Sequence, residues 1–293
     1  MKTKRIAFFT LILFFAIVIG YIVNVIFFSS SRDFAGLNGE VLLMQGDAAP
    51  EFPVVRYNPR TKKTFEIKDI YYYPQYNVNS KNNIIAIIDE NNMQNIYELS
   101  SGDGSSYSRK RLIYSGRDVE HPKFVPGKDS ISFIEDNKLF YYDIEIGGEP
   151  VFISNMSSEY YDWLDSDTVL YSMDAGEGNY NIMAYNIANR KAVIFKNNAL
   201  APALSINKKF LAYRLSNDSS VVILEQLNTV GPQKSIKVNA QGILPYKPSP
   251  DGKYLAGAVY NLSKTDVIII NVDTNKTRTI FPSMLPAVID WKS

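Results

Sequence analysis

The chain has 293 residues, of which 46% are hydrophobic and 13% aromatic, and a formal net charge of +1 at pH 7. That length suits one large domain or two small ones, and near-neutral charge gives no footing for a bulk polyanion, so no nucleic-acid partner is expected. The absence of cysteine excludes disulfides, thiolate metal ligands, a Cys nucleophile and a lipid-modified Cys anchor.

Lys2, Lys4 and Arg5 precede 23 uncharged residues, Ile6 to Phe28. As a helix that run spans roughly 35 Å, enough to cross a hydrocarbon core of about 30 Å. The sequence therefore predicts a transmembrane signal anchor over 1–28, a linker over 29–38 and a folded unit over 39–293. Positive charge before the span puts the N-terminus in the cytoplasm and the folded unit outside, in a single-pass cell-membrane protein. A cleaved signal peptide is the competing reading, with Ser29 and Ser31 as a small-x-small cleavage site.

Beyond Asn38, short apolar or alternating runs rich in Ile, Val, Tyr and Phe are separated by Asn, Asp, Ser, Gly and Lys clusters. This is all-β punctuation. "PSPDGKYLA" (248–256) aligns without gaps to "VNSKNNIIA" (78–86), "FVPGKDSIS" (124–132), "WLDSDTVLY" (163–171) and "LSINKKFLA" (204–212), and "WKS" begins a sixth copy at Trp291. The first positions lie 39 to 46 residues apart, a period belonging to ring or array architectures. Each copy reads as an inner strand, a tight turn and three further strands. The sixth has its inner strand around Ala287 to Trp291, while "EVLLMQ" (40–45) and "YNPRTKKTFEI" (57–67) read as its other three. Ring closure then leaves no blade unpaired at the seam.

Ser249-Pro250-Asp251-Gly252-Lys253 followed by an apolar strand resembles the repeat of TolB-type β-propellers, relatives of the Trp-Asp propellers. The likeness covers about residues 39–293. It implies a six-bladed ring commonly used for protein or peptide binding. The matching residues serve turns and packing and carry no chemistry across.

The repeat also sorts charge. Loops entering the inner strands and loops joining second to third strands share one face, with 14 acids, Glu120, Glu159 and Asp174 among them, against three bases. The opposite face holds 15 bases, including Arg109, Lys208, Lys209 and Lys253, against eight acids. The linker enters on the basic side, so that face is expected nearest the anionic bilayer surface. The acidic face looks outward, toward an envelope protein or polymer of basic or apolar character. Its aromatic loop residues, Tyr72, Tyr73, Tyr160 and Tyr161, with Glu120, His121 and Asp162, are the candidate partner-binding site. The alternative for the rings is packing between blades.

Enzyme signatures are sparse. No nucleophile elbow, P-loop, dinucleotide fingerprint or zinc spacing occurs, and one histidine cannot build a His-based metal site. No catalytic residue, metal or cofactor is expected. "MDAGEGNYN" (173–181) offers Asp174 and Glu177 to a cation, though a plain hairpin turn explains it as well. The rival functions are a propeller enzyme (a hydrolase or lyase) using Glu120, Glu159 and Asp162 as acid and base, and the sensor ectodomain of a membrane complex.

Overall fold

The structure is a computed structural model describing residues 34, 36–37, 39–44, 54–67, 76–78, 83–100, 108–228, 233–238, 246–261, 264–283 and 288–292. The predicted anchor and most of the linker lie outside this set, as do Tyr72 and Tyr73. Among the described residues no helix is long and apolar enough to cross a membrane. The chain divides into Met1–Asn38 and Gly39–Ser293, and all of the strands belong to the second unit.

These strands form six four-stranded antiparallel sheets. The chain enters with β1 (Glu40–Met44), β2 (Val54–Asn58) and β3 (Lys63–Ile67). Blade 1 is β4 (Tyr76–Val78), β5 (Ile84–Glu90), β6 (Met93–Ser100) and β7 (Ser108–Gly116). Blade 2 is β8 (Val119–Phe124), β9 (Ser130–Glu135), β10 (Lys138–Asp143) and β11 (Val151–Asn155). Blade 3 is β12 (Tyr161–Trp163), β13 (Thr168–Gly176), β14 (Asn179–Asn186) and β15 (Lys191–Lys196). Blade 4 is β16 (Ala199–Leu204), β17 (Phe210–Leu215), β18 (Val221–Gln226) and β19 (Lys234–Lys237). Blade 5 is β20 (Lys247–Pro248), β21 (Tyr254–Asn261), β22 (Lys264–Asn271) and β23 (Thr277–Ser283), and β24 (Val288–Lys292) completes the sixth sheet in the order β24-β1-β2-β3. The six-bladed all-β ring expected from the period is the observed fold.

The repeat survives at the level of single hydrogen bonds. In blade 5 the Ser249 amide donates to the Tyr254 carbonyl (2.8 Å) and the Gly252 amide to the Ser249 carbonyl (3.0 Å). Ser205 with Phe210 (2.9 Å) and Lys208 with Ser205 (2.8 Å) repeat both bonds in blade 4. The serine hydroxyl accepts from the amide of Tyr254 or Phe210 at 3.0 Å in each case, so one side chain pins the turn between inner and second strand. Gly252 has φ +69°, and a Cβ there would lie 2.4 Å from the Phe210 ring of the neighbouring blade. Glycine is thus required twice, by the left-handed backbone and by the close approach. Lys208 takes the same left-handed place in blade 4, at φ 59°.

The core lies between blades. Apolar side chains of adjacent second and third strands interleave, as Leu170 and Ile182 do with Leu211 and Tyr213. Alternation along each strand supplies one face to each neighbour. Outer strands are more open: Val193 and Ile194 of β15 are exposed, as expected where no further layer covers the sheet.

Closure rests on β24 pairing with β1, in the register Glu40 with Lys292, Val41 with Trp291 and Leu42 with Asp290. Trp291 is fully buried and stacks on Tyr254 of blade 5 with centroids 6.3 Å apart. Trp291→Ala should cost about 3–5 kcal/mol, as large aromatic truncations in cores do. That lowers Tm by about 2–4 °C per kcal/mol in a domain of this size. Deleting β24 should cost more, because it also uncovers the edge of β1 and one side of blade 5. Thermal melts of the two variants check this, and an unchanged Tm on deletion would show that the seam lies elsewhere.

Candidate functional site

The inner strands converge on a central channel, and their first physical problem is hydrogen bonding. An inner strand has a ladder partner on one side only, which leaves backbone groups on its channel side to be satisfied otherwise. Side chains one residue before the aligned repeat position answer this. Asn77 of blade 1 accepts from the Phe124 amide of blade 2 at 3.1 Å. Asp162 of blade 3 accepts from the Leu204 amide of blade 4 at 2.9 Å. Lys123 of blade 2 donates to the Tyr161 carbonyl of blade 3. Each tie runs from one blade to the next.

Asp162 is the hub. It is 5% exposed, its Oδ2 is 2.9 Å from Lys247 Nζ, and its Oδ1 is 3.4 Å from Lys208 Nζ. Burial alone would raise this carboxyl. The charges of Lys123, Lys208 and Lys247, with the Leu204 amide, override it and hold the pKa well below the usual carboxylate range. Two sequence expectations are corrected here. Asp162 is not a mouth residue open to a partner or to proton transfer, because its oxygens are committed to blades 4 and 5. Lys208 does not sit on the basic outer face, because its ammonium reaches the channel carboxylate.

Tyr161 is corrected likewise. It is 1% exposed and packs in the core between blades 2 and 3. Trp163 Nε1 donates to Ser132 Oγ (2.8 Å) and Ser132 Oγ to the Tyr161 hydroxyl (3.0 Å). That hydroxyl donates to the His121 carbonyl (2.5 Å). The relay is satisfied at every step, and burial pushes the Tyr161 phenol well up. The packing alternative for this ring is therefore what occurs.

Above this floor lies the acidic-face mouth. His121 sits at φ 49° in the bulge of β8, where the register with β9 slips between Glu120 and Lys123. Its Nε2 is 3.1 Å from Glu159 Oε2. That bond, working against partial burial, keeps Glu159 below the usual carboxylate range. Glu120 is exposed and Tyr160 half-buried. The structure thus brings His121, Glu159 and Tyr160 to the surface over a buried Tyr161 and Asp162. The 173–181 segment is a hairpin turn in which Asp174 Oδ1 accepts from the Gly176 amide at 2.7 Å. Among the described residues no group of three or more His, Asp or Glu side chains is placed to hold a metal.

Charged groups of both faces take part in ion pairs. On the opposite face Lys128 pairs with Asp167 at 2.6 Å and Lys234 with Asp273. Arg109, counted there from sequence, folds over Tyr97 (4.9 Å to the ring centroid) to pair with Glu90 at 2.5 Å.

Sequence reasoning missed Lys123, Lys247 and Arg214. A signal for the first two was present: the residue before each aligned position is Asn77, Lys123, Asp162, Ala203, Lys247 or Asp290, a polar series in otherwise apolar strands. Asp162→Asn should lower stability by about 3–5 kcal/mol, since it leaves buried ammonium groups without their carboxylate. Because the folded pKa of Asp162 is depressed, its contribution is complete above the unfolded value near 4 and is lost as pH falls through the folded pKa. The Asn variant should therefore show a shallower loss of stability on acidification than the parent. Urea melts across an acid series check both points.

No protein-family model and no curated protein matches the chain. Among solved structures it is similar to TolB from Acinetobacter baumannii, at 17% identity and a TM-score of 0.65, over 87% of this chain and 66% of that one. This chain thus spans just under two thirds of that relative. A putative TolB from Agrobacterium tumefaciens is similar at 13% identity and a TM-score of 0.59, over 86% and 92% of the two chains. An oligogalacturonate lyase in complex with manganese is similar at 9% identity and a TM-score of 0.51, over 80% and 78%. Identity this low speaks to backbone architecture alone, and the likeness to the two TolB chains marks this six-bladed ring as a β-propeller of the TolB type.

Proposed function

We propose that this chain is a binding or scaffold module of the cell envelope, held in the membrane by its N-terminal run and presenting its acidic face to a protein segment or polymer of basic or apolar character. The observation that carries the reading is charge segregation. Glu120, Glu159, Asp174 and Glu177 are exposed on the side of the inner-strand entries and the second-to-third-strand turns, while bases of the opposite face such as Lys128 and Lys234 are paired with that face's own acids. The resemblance of the repeat to TolB-type propellers, rings commonly used for protein or peptide binding, supports a binding role, while the similar lyase keeps a propeller enzyme as the second reading. Glu120, His121, Glu159 and Tyr160 are the contact residues at the described mouth, with Tyr72 and Tyr73 as further candidates. Tyr161 and Asp162 form the rigid floor beneath them.

Charge at such a rim speeds encounter and adds salt dependence, while a half-buried ring such as Tyr160 supplies desolvated contact area. The chain should be retained on polylysine beads at low salt, released as salt rises, and ignored by polyglutamate beads. Reversing Glu120 and Glu177 to Lys should weaken retention about tenfold, equivalent to about 1.4 kcal/mol, without moving Tm. Equal retention of parent and variant would remove the acidic face from consideration.

The membrane part has its own test. The full chain should stay with the membrane fraction after carbonate washing and keep its first residues, because its 23 uncharged residues would cross the bilayer if they form a helix of roughly 35 Å. A soluble product starting at Arg32 would show a cleaved signal peptide instead.

A further inference from the structure

Arg214 is a charged side chain in the interior of blade 4. It lies near the end of β17, paired in register with Leu200 of β16 and Val222 of β18. Alternation puts it on the same face as Ala212, which packs with Tyr246 and Leu255 of blade 5. The residue is 3% exposed, and its Nε and Nη1 are buried without a hydrogen-bond partner among the described residues. Among the described residues the ionisable groups acting on it are the phenols of Tyr246 and Tyr160, and burial lowers its pKa from the usual guanidinium value. A buried guanidinium with unpartnered nitrogens is costly, and a bound ligand is one way such a group is satisfied.

The surroundings are shaped around this group. Tyr246 enters blade 5 and lies against Gly257, where a Cβ would come within 2.2 Å of the ring. Glycine at 257 therefore lets the Tyr246 ring pack directly on the β21 backbone. Opposite, β16 bulges directly after Leu200: Ala201 takes φ 55° and its amide donates to Ser172 Oγ at 2.9 Å. The Ser172 amide in turn donates to the Tyr160 carbonyl at 3.3 Å. Arg214 and the two tyrosines thus belong to the end of the ring where chains enter the inner strands, the end that carries the acidic mouth.

We propose that Arg214 anchors a carboxylate-binding site at the acidic-face mouth, with Tyr160 and Tyr246 beside it, and that its ligand is a peptide carboxylate. The peptide class rests on the binding role proposed above. The planar guanidinium fork matches a carboxylate with two parallel N–H donors. One cation suits one negative charge, and the surrounding Glu120 and Glu159 oppose polyanions. A peptide with a carboxylate anchor and a basic or neutral remainder satisfies both the buried arginine and the acidic rim.

The test uses the full chain in detergent, with the Arg214 Nε–H resonance followed by NMR. N-acetyl-lysine carries a free α-carboxylate, N-acetyl-aspartic acid α-amide a side-chain carboxylate, N-acetyl-lysinamide none, and inorganic sulfate is the non-carboxylate anion. Either carboxylate should shift the Arg214 resonance saturably, and the tighter of the two identifies the source as a chain terminus or a side chain. The amide and sulfate should leave it in place. Arg214→Lys should weaken binding by about tenfold or more, since it keeps charge but loses the fork. Arg214→Met should abolish binding without lowering Tm, because among the described residues no carboxylate pairs with Arg214. An unmoved resonance in the parent protein at saturating carboxylate would overturn the proposal, as would an equal response to sulfate. Polylysine retention is read separately, so loss of carboxylate binding with intact retention would remove this site and leave the acidic-face reading standing.

Discussion

Every inner strand of this ring has one hydrogen-bonding edge facing another strand and one facing the channel, and the rest of the structure depends on how the second edge is satisfied. A side chain at one repeat position reaches across to the next blade, as Asn77 does to Phe124 and Asp162 to Leu204. The ties pair backbone groups that would otherwise be orphaned near the axis, and they fix the angle between successive sheets. Apolar interleaving between blades supplies most of the driving force. It is non-directional, however, and would tolerate small rotations that these hydrogen bonds do not.

The seam extends the same logic. Five blades close by local hairpins, whereas the sixth takes β24 from one end of the folded unit and β1 from the other. Pairing ends so far apart in sequence is entropically the most demanding contact in the molecule. Trp291, buried against Tyr254, concentrates apolar contact where the chain must close.

The mouth differs from this interior in the state of its polar groups. Tyr161, Ser132 and Trp163 complete one another's hydrogen bonds, and Asp162 is saturated by lysines and an amide. Arg214, a few strands away, is as buried as these and lacks a partner for two of its nitrogens among the described residues. A network completed internally stabilises the fold, whereas an incomplete one retains free energy for binding something else. In the binding role proposed above, the acidic rim and the half-buried Tyr160 would select for sign, and the buried guanidinium beneath would select for a carboxylate.

Much of the fold was legible in the sequence. A 39–46-residue period with Asp-Gly or its equivalents after each inner strand specifies a blade, and the partial sixth copy specifies how the ring closes. Turn chemistry and alternation are local, and six copies reinforce one another. The candidate site was legible only in part. Sequence placed Tyr160, Tyr161 and Asp162 together at one entry loop, yet Tyr160 precedes β12 and stays half-buried at the mouth, while alternation within the strand sends Tyr161 into the core and Asp162 to the channel. Arg109 and Lys208 crossed from the face their backbone suggested, because long side chains carry their charge several ångströms from Cα. Sequence by itself determined the ring and its blade count, since these follow from period and turn position. Only the tertiary structure decided which charges are spent inside and which remain, because that depends on what neighbouring blades bring within about 3 Å of each polar atom.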